Sequence, residues 1–360
     1  MDINQATLAS APEASSCAPL QFEFKGSGSE YFRIWIVNLL LSIVTLGIYS
    51  AWAKVRRNRY FYSSTQLAGS SFEYHGNAMA ILKGRLVAVA FIAVYNLAFK
   101  TSLALGFLMM ALFAAMMPWL VWKSLQFKLY NSSYRGIRFG FRGNAKQAYL
   151  SYLLWPLLAF VSIYLLAPMM HQRIKSFQHN ESRFGVTHFS FDAKVKQFYW
   201  AYLVGFGIML AGVVAISLVL GGSVFAMMAS MRKGAAAPGI ILSLFGFFFA
   251  LYLWLFAVYP IFLTLLQNLI WNHTKLGAHK IASHLHWGRM SFIMLTNVLG
   301  IICTLGLFIP FAQVRALRYR MECMSLLAAG SLDHFISDSQ EQVSAMGEGM
   351  ADLLDFDLSL

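Results

Sequence analysis

Hydrophobic and polar positions divide this chain into seven long apolar stretches separated by short basic ones, at residues 34–52, 86–99, 103–122, 148–170, 198–228, 238–266 and 292–311. Crossing the hydrocarbon core of a bilayer takes about 20 residues of helix, and most of these stretches meet that length. The second does so only if residues 81–85 join it, with Lys83 and Arg85 extending outward to water. Helix is the expected conformation, because backbone groups in lipid must be bonded within their own segment. Trp52, Trp119, Trp122, Trp200, Tyr202 and Trp271 lie near segment ends, where amphipathic rings sit at the headgroup level. A second, shorter pattern alternates with period two. Phe22 and Phe24, Phe72 and Tyr74, Phe139 and Phe141, and Phe189 and Phe191 each flank one residue, which predicts small strand pairs linking the helical segments. The fold class expected is all-α and polytopic, with about seven apolar segments, some of them re-entrant.

Composition strengthens the membrane reading. Hydrophobic residues make up 58% of the chain and charged ones 12%, against about 25% charged in a soluble domain. The net charge of +13 would raise nucleic acid as a partner of a soluble protein. Here the basic residues flank apolar runs, so anionic lipid headgroups are the expected partner and nucleic acid is not. The sequence names no protein partner and no oligomeric state. Cys17, Cys303 and Cys323 have no paired spacing. Residues 1–20 read as a tail. So do residues 335–360, where the chain turns acidic.

The chain also resembles itself. Thr45, Leu46 and Gly47 recur as Thr304, Leu305 and Gly306; in the same register Asn38 matches Asn297, and Arg56, Arg59 and Tyr60 match Arg315, Arg318 and Tyr319. A third copy runs from Phe139, Phe141 and Gly143, which match Phe22, Phe24 and Gly26, and sets Arg173 on Arg56. The expected organisation is a repeat at 21–136, a second at 137–275 and a partial third at 276–334.

At these residues the chain resembles the YjgN-type bacterial inner-membrane proteins. The Phe-x-Phe-[Lys/Arg]-Gly motif, the run from Thr45 to Tyr60 and the run from Thr304 to Tyr319 carry the likeness, which covers about residues 20 to 330. The resemblance implies a multi-pass protein of the bacterial inner membrane. It supplies no catalytic residues, because the function of that family is unknown.

Charge predicts how the segments are threaded. If all seven cross, Lys and Arg divide 17 to 11 between the two faces. If the segments at 34–52, 148–170 and 292–311 enter and leave by one face, only Lys100, Arg232 and Lys233 lie outside, leaving 25 inside. The excess of cytoplasmic Lys and Arg in membrane proteins favours the second arrangement. The expected breaks are at Gly47, Pro168, Gly306 and Pro310. The acidic C-terminal tail is then cytoplasmic.

Candidate chemistry is sparse. No Asp or Glu lies inside an apolar stretch, and intramembrane carboxylates are the usual carriers of ion coupling. Asn38 and Asn297 are the equivalent polar residues within the stretches, suited to hydrogen bonding between helices. Arg56, Arg59, Arg173, Arg315 and Arg318 follow apolar stretches. They read either as orientation signals or as a set that grips an anionic lipid or phosphorylated ligand. His273, His279, His284 and His286 lack a carboxylate ligand at metal spacing and read as loop histidines. No phosphate loop, dinucleotide motif or nucleophile elbow occurs. No cofactor or metal is expected, and the chain is not expected to be an enzyme. Two functions stay open: transport or channel-like activity, and a lipid-interacting or scaffolding role.

Overall fold

The computed structural model describes residues 19–231, 238–330 and 335–341. One order of elements, strand, helices, strand, occurs five times. The first unit is β1 (Leu20–Phe24), α1 (Gly28–Val44), α2 (Ser50–Ser64) and β2 (Thr65–Leu67). The second is β3 (Ser70–Tyr74), α3 (Ala78–Thr101), α4 (Leu103–Tyr130) and β4 (Ser132–Tyr134). The third is β5 (Ile137–Phe141), α5 (Ala145–Tyr149), a π-helical turn (Leu150–Leu154), α6 (Trp155–Val161), α7 (Ala167–Asn180) and β6 (Ser182–Phe184). The fourth is β7 (Thr187–Phe191), α8 (Val195–Met231), α9 (Pro238–Asn272) and β8 (Thr274–Leu276). The fifth is β9 (His279–Ser283), α10 (Trp287–Cys303), α11 (Ile309–Glu322) and β10 (Met324–Leu327).

The ten strands close into a single antiparallel barrel. Phe22 of β1 lies opposite Leu67 of β2, and Leu20 lies opposite Leu326 of β10, so the first and last strands meet. Closure leaves no strand edge unpaired. Local chemistry explains each junction. Ala68 and Gly69, and Arg135 and Gly136, adopt the two positive φ angles of a type I′ hairpin turn, while Gly185 and Gly277 open the other two hairpins at φ 56°. Where a helix gives way to an even-numbered strand, a hydroxyl stops it in four of the five cases. Thr65, Ser132, Ser182 and Thr274 each donate to the carbonyl four residues earlier, at 2.6 to 2.8 Å, satisfying a helix-terminal acceptor. Ser27, Asn77 and Asn144 cap the helices that follow β1, β3 and β5.

The barrel overturns the all-α expectation. The strands are three to five residues long, too short for alternation to stand out. Their pairing joins residues as far apart as Gln21 and Ser325. The aromatic alternation at Phe22, Phe72, Phe139 and Phe189 marks four of the five odd-numbered strands, but as parts of one closed sheet and not as separate linking pairs.

The count of seven apolar segments is corrected too. Among the described residues, four helices are long and apolar enough to cross a membrane: Ala78–Thr101, Leu103–Tyr130, Val195–Gly222 and Leu242–Asn272. They form the pairs α3–α4 and α8–α9. In the other three units the apolar stretch is bent back on itself by one recurring turn. Leu46 and Gly47, Ile163 and Tyr164, and Leu305 and Gly306 all have positive φ. The amides of Gly47, Tyr164 and Gly306 donate to the carbonyls of Ser42, Ala159 and Ile301, at 2.7 to 2.8 Å, as in a helix-ending Schellman turn. The hydroxyls of Thr45, Ser162 and Thr304 then accept from the amides of Tyr49, Leu166 and Phe308, at 2.9 to 3.1 Å, and start the next helix. Glycine meets the left-handed conformation at two of these turns; in the third, Ile163 and Tyr164 adopt it without glycine.

Residues 335–341 form a short helical segment against the barrel. Of the expected tails at 1–20 and 335–360, residues 1–18 and 342–360 lie outside the described residues, as do Arg232 and Lys233.

Candidate functional site

A barrel of eight strands has an interior just filled by its own side chains. Ten strands enclose more, and here they surround a cavity of about 520 Å³. Each odd-numbered strand places one large side chain on it: Phe22, Phe72, Phe139, Phe189 and Ile281. The four phenylalanines stack in sequence around the wall, with ring centroids 6.3 to 6.4 Å apart, within the range of favourable aromatic pairing. The even-numbered strands add Leu67, Tyr134, Phe184, Leu276 and Leu326. Tyr134 is buried, and its hydroxyl donates to the Leu67 carbonyl at 2.7 Å.

The two ends of the cavity differ. At the end formed by the hairpin turns, Phe335 and Ile336 line it. Phe335 lies 6.2 Å from the ring of Phe184 and 4.5 Å from that of His279. Gln340 donates to the Arg135 carbonyl at 3.0 Å, and the His279 ring accepts from the Ala329 amide at 3.1 Å. Burial holds the His279 pKa below its ordinary value, in keeping with that acceptor role.

At the opposite end the last turns of the helices line the space: Phe61 and Tyr62 of α2, Lys128 of α4, Trp271 of α9, and Leu317, Arg320 and Met321 of α11. Lys128 and Arg320 are the cations on the cavity wall, and among the described residues lining it none is a carboxylate. The Arg320 Nε is buried with no hydrogen-bond partner. Burial also lowers the Lys175 pKa, and the positive charge of Lys128 adds to the effect. Half-buried His179, hydrogen-bonded to Thr274 at 3.1 Å and flanked by Phe191 and Trp271, has its pKa pushed down to about 4, first by desolvation and then by Lys175.

None of the five arginines singled out in the sequence lines this cavity. Arg56 and Arg59 border a separate crevice of about 640 Å³ with Tyr49, Trp52 and His75. Arg173 lies over the Trp155 ring at 5.6 Å. Arg315 donates to Asn297 at 3.1 Å, and Arg318 to the Gly26 carbonyl at 2.8 Å. Asn297 is buried and also donates to the Ala312 carbonyl, tying α10 to α11. Its sequence equivalent Asn38 is equally buried, but its side-chain oxygen has no partner. Gly47 and Gly306 sit in the recurring turns, whereas Pro168 and Pro310 occupy the first turn of the following helices, α7 and α11. His279 lies in β9 and His286 precedes α10, and His273 contacts Gln197 at 2.9 Å. No group of metal-binding side chains occurs among the described residues.

Lys128, Arg320 and the pair Phe335 and Ile336 were not anticipated. The even-numbered strands did leave a mark. A hydroxyl residue, any residue and then an apolar one, followed closely by a glycine, occurs at Thr65, Ser132, Ser182 and Thr274. That spacing encodes the helix stop and hairpin described above.

Comparison with known proteins agrees with this architecture of apolar helices. The chain is 34% identical over 143 residues to Inner membrane protein YjgN of Salmonella typhimurium (strain LT2), a stretch covering 39% of this chain and 36% of that relative. It is 28% identical over 160 residues to Inner membrane protein YjgN of Escherichia coli O157:H7, covering 43% and 40%. With the protein of that name from Escherichia coli K12 it shares 31% over 126 residues, covering 35% and 32%. The aligned stretches thus span well under half of these curated relatives. No solved structure matches. A family profile, in contrast, matches residues 19–353, nearly the whole chain. The chain therefore belongs to the YjgN-type family described as "Bacterial protein of unknown function (DUF898)".

Proposed function

We propose that this is a non-catalytic, lipid-binding protein of the bacterial inner membrane, whose barrel receives the hydrocarbon chain of a membrane amphiphile. One observation carries the reading: the cavity of about 520 Å³ is walled by stacked phenylalanines and aliphatic side chains, and it extends from the barrel to the last turns of α2, α4, α9 and α11. Its volume lies in the range of about 300–1,000 Å³ that holds a small molecule. Each buried methylene of a lipid tail contributes about 0.8 kcal/mol. Transport, the other function open from the sequence, is less well supported. The four long helices carry no acidic side chain, and Phe335 and Ile336 pack into one end of the barrel.

Orientation follows from the same frame. Every helical pair starts and ends at a strand of one barrel, so the barrel lies on one side of the membrane. The basic residues concentrated beside it make that side the cytoplasm, with the C-terminal tail on the same side. In this reading the five units arose by duplication, and the sequence repeats at 21–136, 137–275 and 276–334 hold two, two and one of them.

A photoreactive hexadecanoic acid, with a diazirine at its chain end, tests the proposal on the purified protein. Saturable labelling of peptides from β5 and β7, blocked when Phe139 and Phe189 are both replaced by Trp, is the expected result. Labelling confined to the outer faces of α3, α4, α8 and α9 contradicts it.

A further inference from the structure

The cavity has one apolar end and one cationic end, and among the described residues lining it none is an acid. Lys128 and Arg320 line the helical end, and the Arg320 Nε is buried without a hydrogen-bond partner. A guanidinium left partly buried without an anion is disfavoured by desolvation. It is retained at such a cost when an anion comes to it. Lys175, on the adjoining α7, adds a third positive charge close to Lys128 and donates only to the neutral Gln178, at 3.0 Å. Gln267 stands one turn before Trp271, on the same face of α9. It is 6% exposed, and neither of its amide atoms has a partner.

Resting on the reading of the barrel as a tail-binding cavity, we infer that the ligand is an anionic amphiphile, held with its carboxylate or phosphate head at Lys128 and Arg320 and its tail directed toward Phe335 and Ile336. The two cations differ in what they offer. Arg320 presents a planar fork suited to two oxygens of one anion, and Lys128 a mobile point charge. The wall between the head position and that pair of apolar residues is apolar, so a short hydrophilic anion gains nothing beyond the head contact. Selection therefore falls on molecules that join one anionic group to a long chain, and zwitterionic or cationic heads are disfavoured.

Competition against the photoreactive hexadecanoic acid at pH 8 tests this with competitors of one chain length: hexadecanoic acid, hexadecyl phosphate, hexadecanol and hexadecyltrimethylammonium. The two anions are expected to displace the probe at concentrations at least tenfold below that of the alcohol, with the cation weakest. Whichever anion is stronger identifies the head as carboxylate or phosphate. Replacing both cations (Lys128→Gln with Arg320→Gln) should erase the preference while the alcohol still competes. The charge-conserving pair Lys128→Arg with Arg320→Lys should keep it. Equal competition by alcohol and anions in the unaltered protein overturns the head assignment but leaves the tail site standing. Failure of every competitor to displace the probe overturns the tail site as well.

Discussion

The short hairpins α1–α2, α6–α7 and α10–α11 and the long hairpins α3–α4 and α8–α9 hang from the same kind of strand pair, yet they end differently. A 24-residue helix such as α3 is about 36 Å long, against roughly 30 Å of hydrocarbon. The 17 residues of α1 and of α10 reach about 25 Å, and their partners α2 and α11 carry several arginines each. At the tips of the short hairpins, Leu46, Ile163 and Leu305 are 94%, 85% and 96% exposed, which fits contact with lipid. The strand frame therefore does not determine depth. Depth is written in each hairpin, by where the left-handed turn falls and by how polar the returning helix is.

The most damaging change should strike the frame that both kinds of hairpin share. Tyr134 is buried at the centre of the barrel core, beside Phe72 and Phe184, and its hydroxyl closes onto the Leu67 carbonyl. Tyr134→Ala is expected to cost about 3–5 kcal/mol, the range for removing a large buried aromatic ring. Thermal unfolding in detergent should show a large drop in Tm, and an unchanged Tm would mean that the barrel does not hold the hairpins together.

A smaller effect should separate the two hairpin types. Gly306 has φ 95° in the turn between α10 and α11, so Gly306→Val should destabilise by about 1–3 kcal/mol through backbone strain. Gly246, inside the long helix α9, has open space where a Cβ would go. There Gly→Ala should instead stabilise by about 0.5–1 kcal/mol, through helix propensity. Displacement of Tm in opposite directions, larger for Gly306→Val, supports distinct turn chemistry, and a loss at both positions would contradict it.

The sequence is most legible where a residue's role is local. Thr45 to Gly47 and Thr304 to Gly306 announce a helix end, because hydroxyl, apolar residue and glycine together make a Schellman turn. Ser162 to Tyr164 makes the same turn without glycine, and the local signal is Pro168, in the first turn of the helix that follows. Phe22, Phe72, Phe139 and Phe189 are visible as strand residues, since each alternates with an exposed neighbour. Their convergence on one cavity is not visible, because it depends on closing β1 onto β10 across some 300 residues. Lys128 and Arg320 were hidden for a related reason. Each lies on a polar helix end that reads as an ordinary membrane flank until the barrel sets both on one wall. Arg56, Arg173 and Arg315 align in sequence and yet face different surroundings, since equivalent positions in a ring of units point to different neighbours.

Sidedness tests the central claim most directly. In a variant lacking native cysteines, single cysteines are placed at Lys25, Lys54 and Lys100 and treated with a membrane-impermeant thiol reagent, in intact cells and after permeabilisation. Position 25 precedes α1 and position 54 lies early in α2, just past the tip of the first short hairpin; both should be shielded until permeabilisation, while position 100, at the turn of the first long hairpin, should react in intact cells. Opposite accessibility at 25 and 54 would mean that the short hairpin crosses the membrane, and the barrel could not then lie wholly on one side.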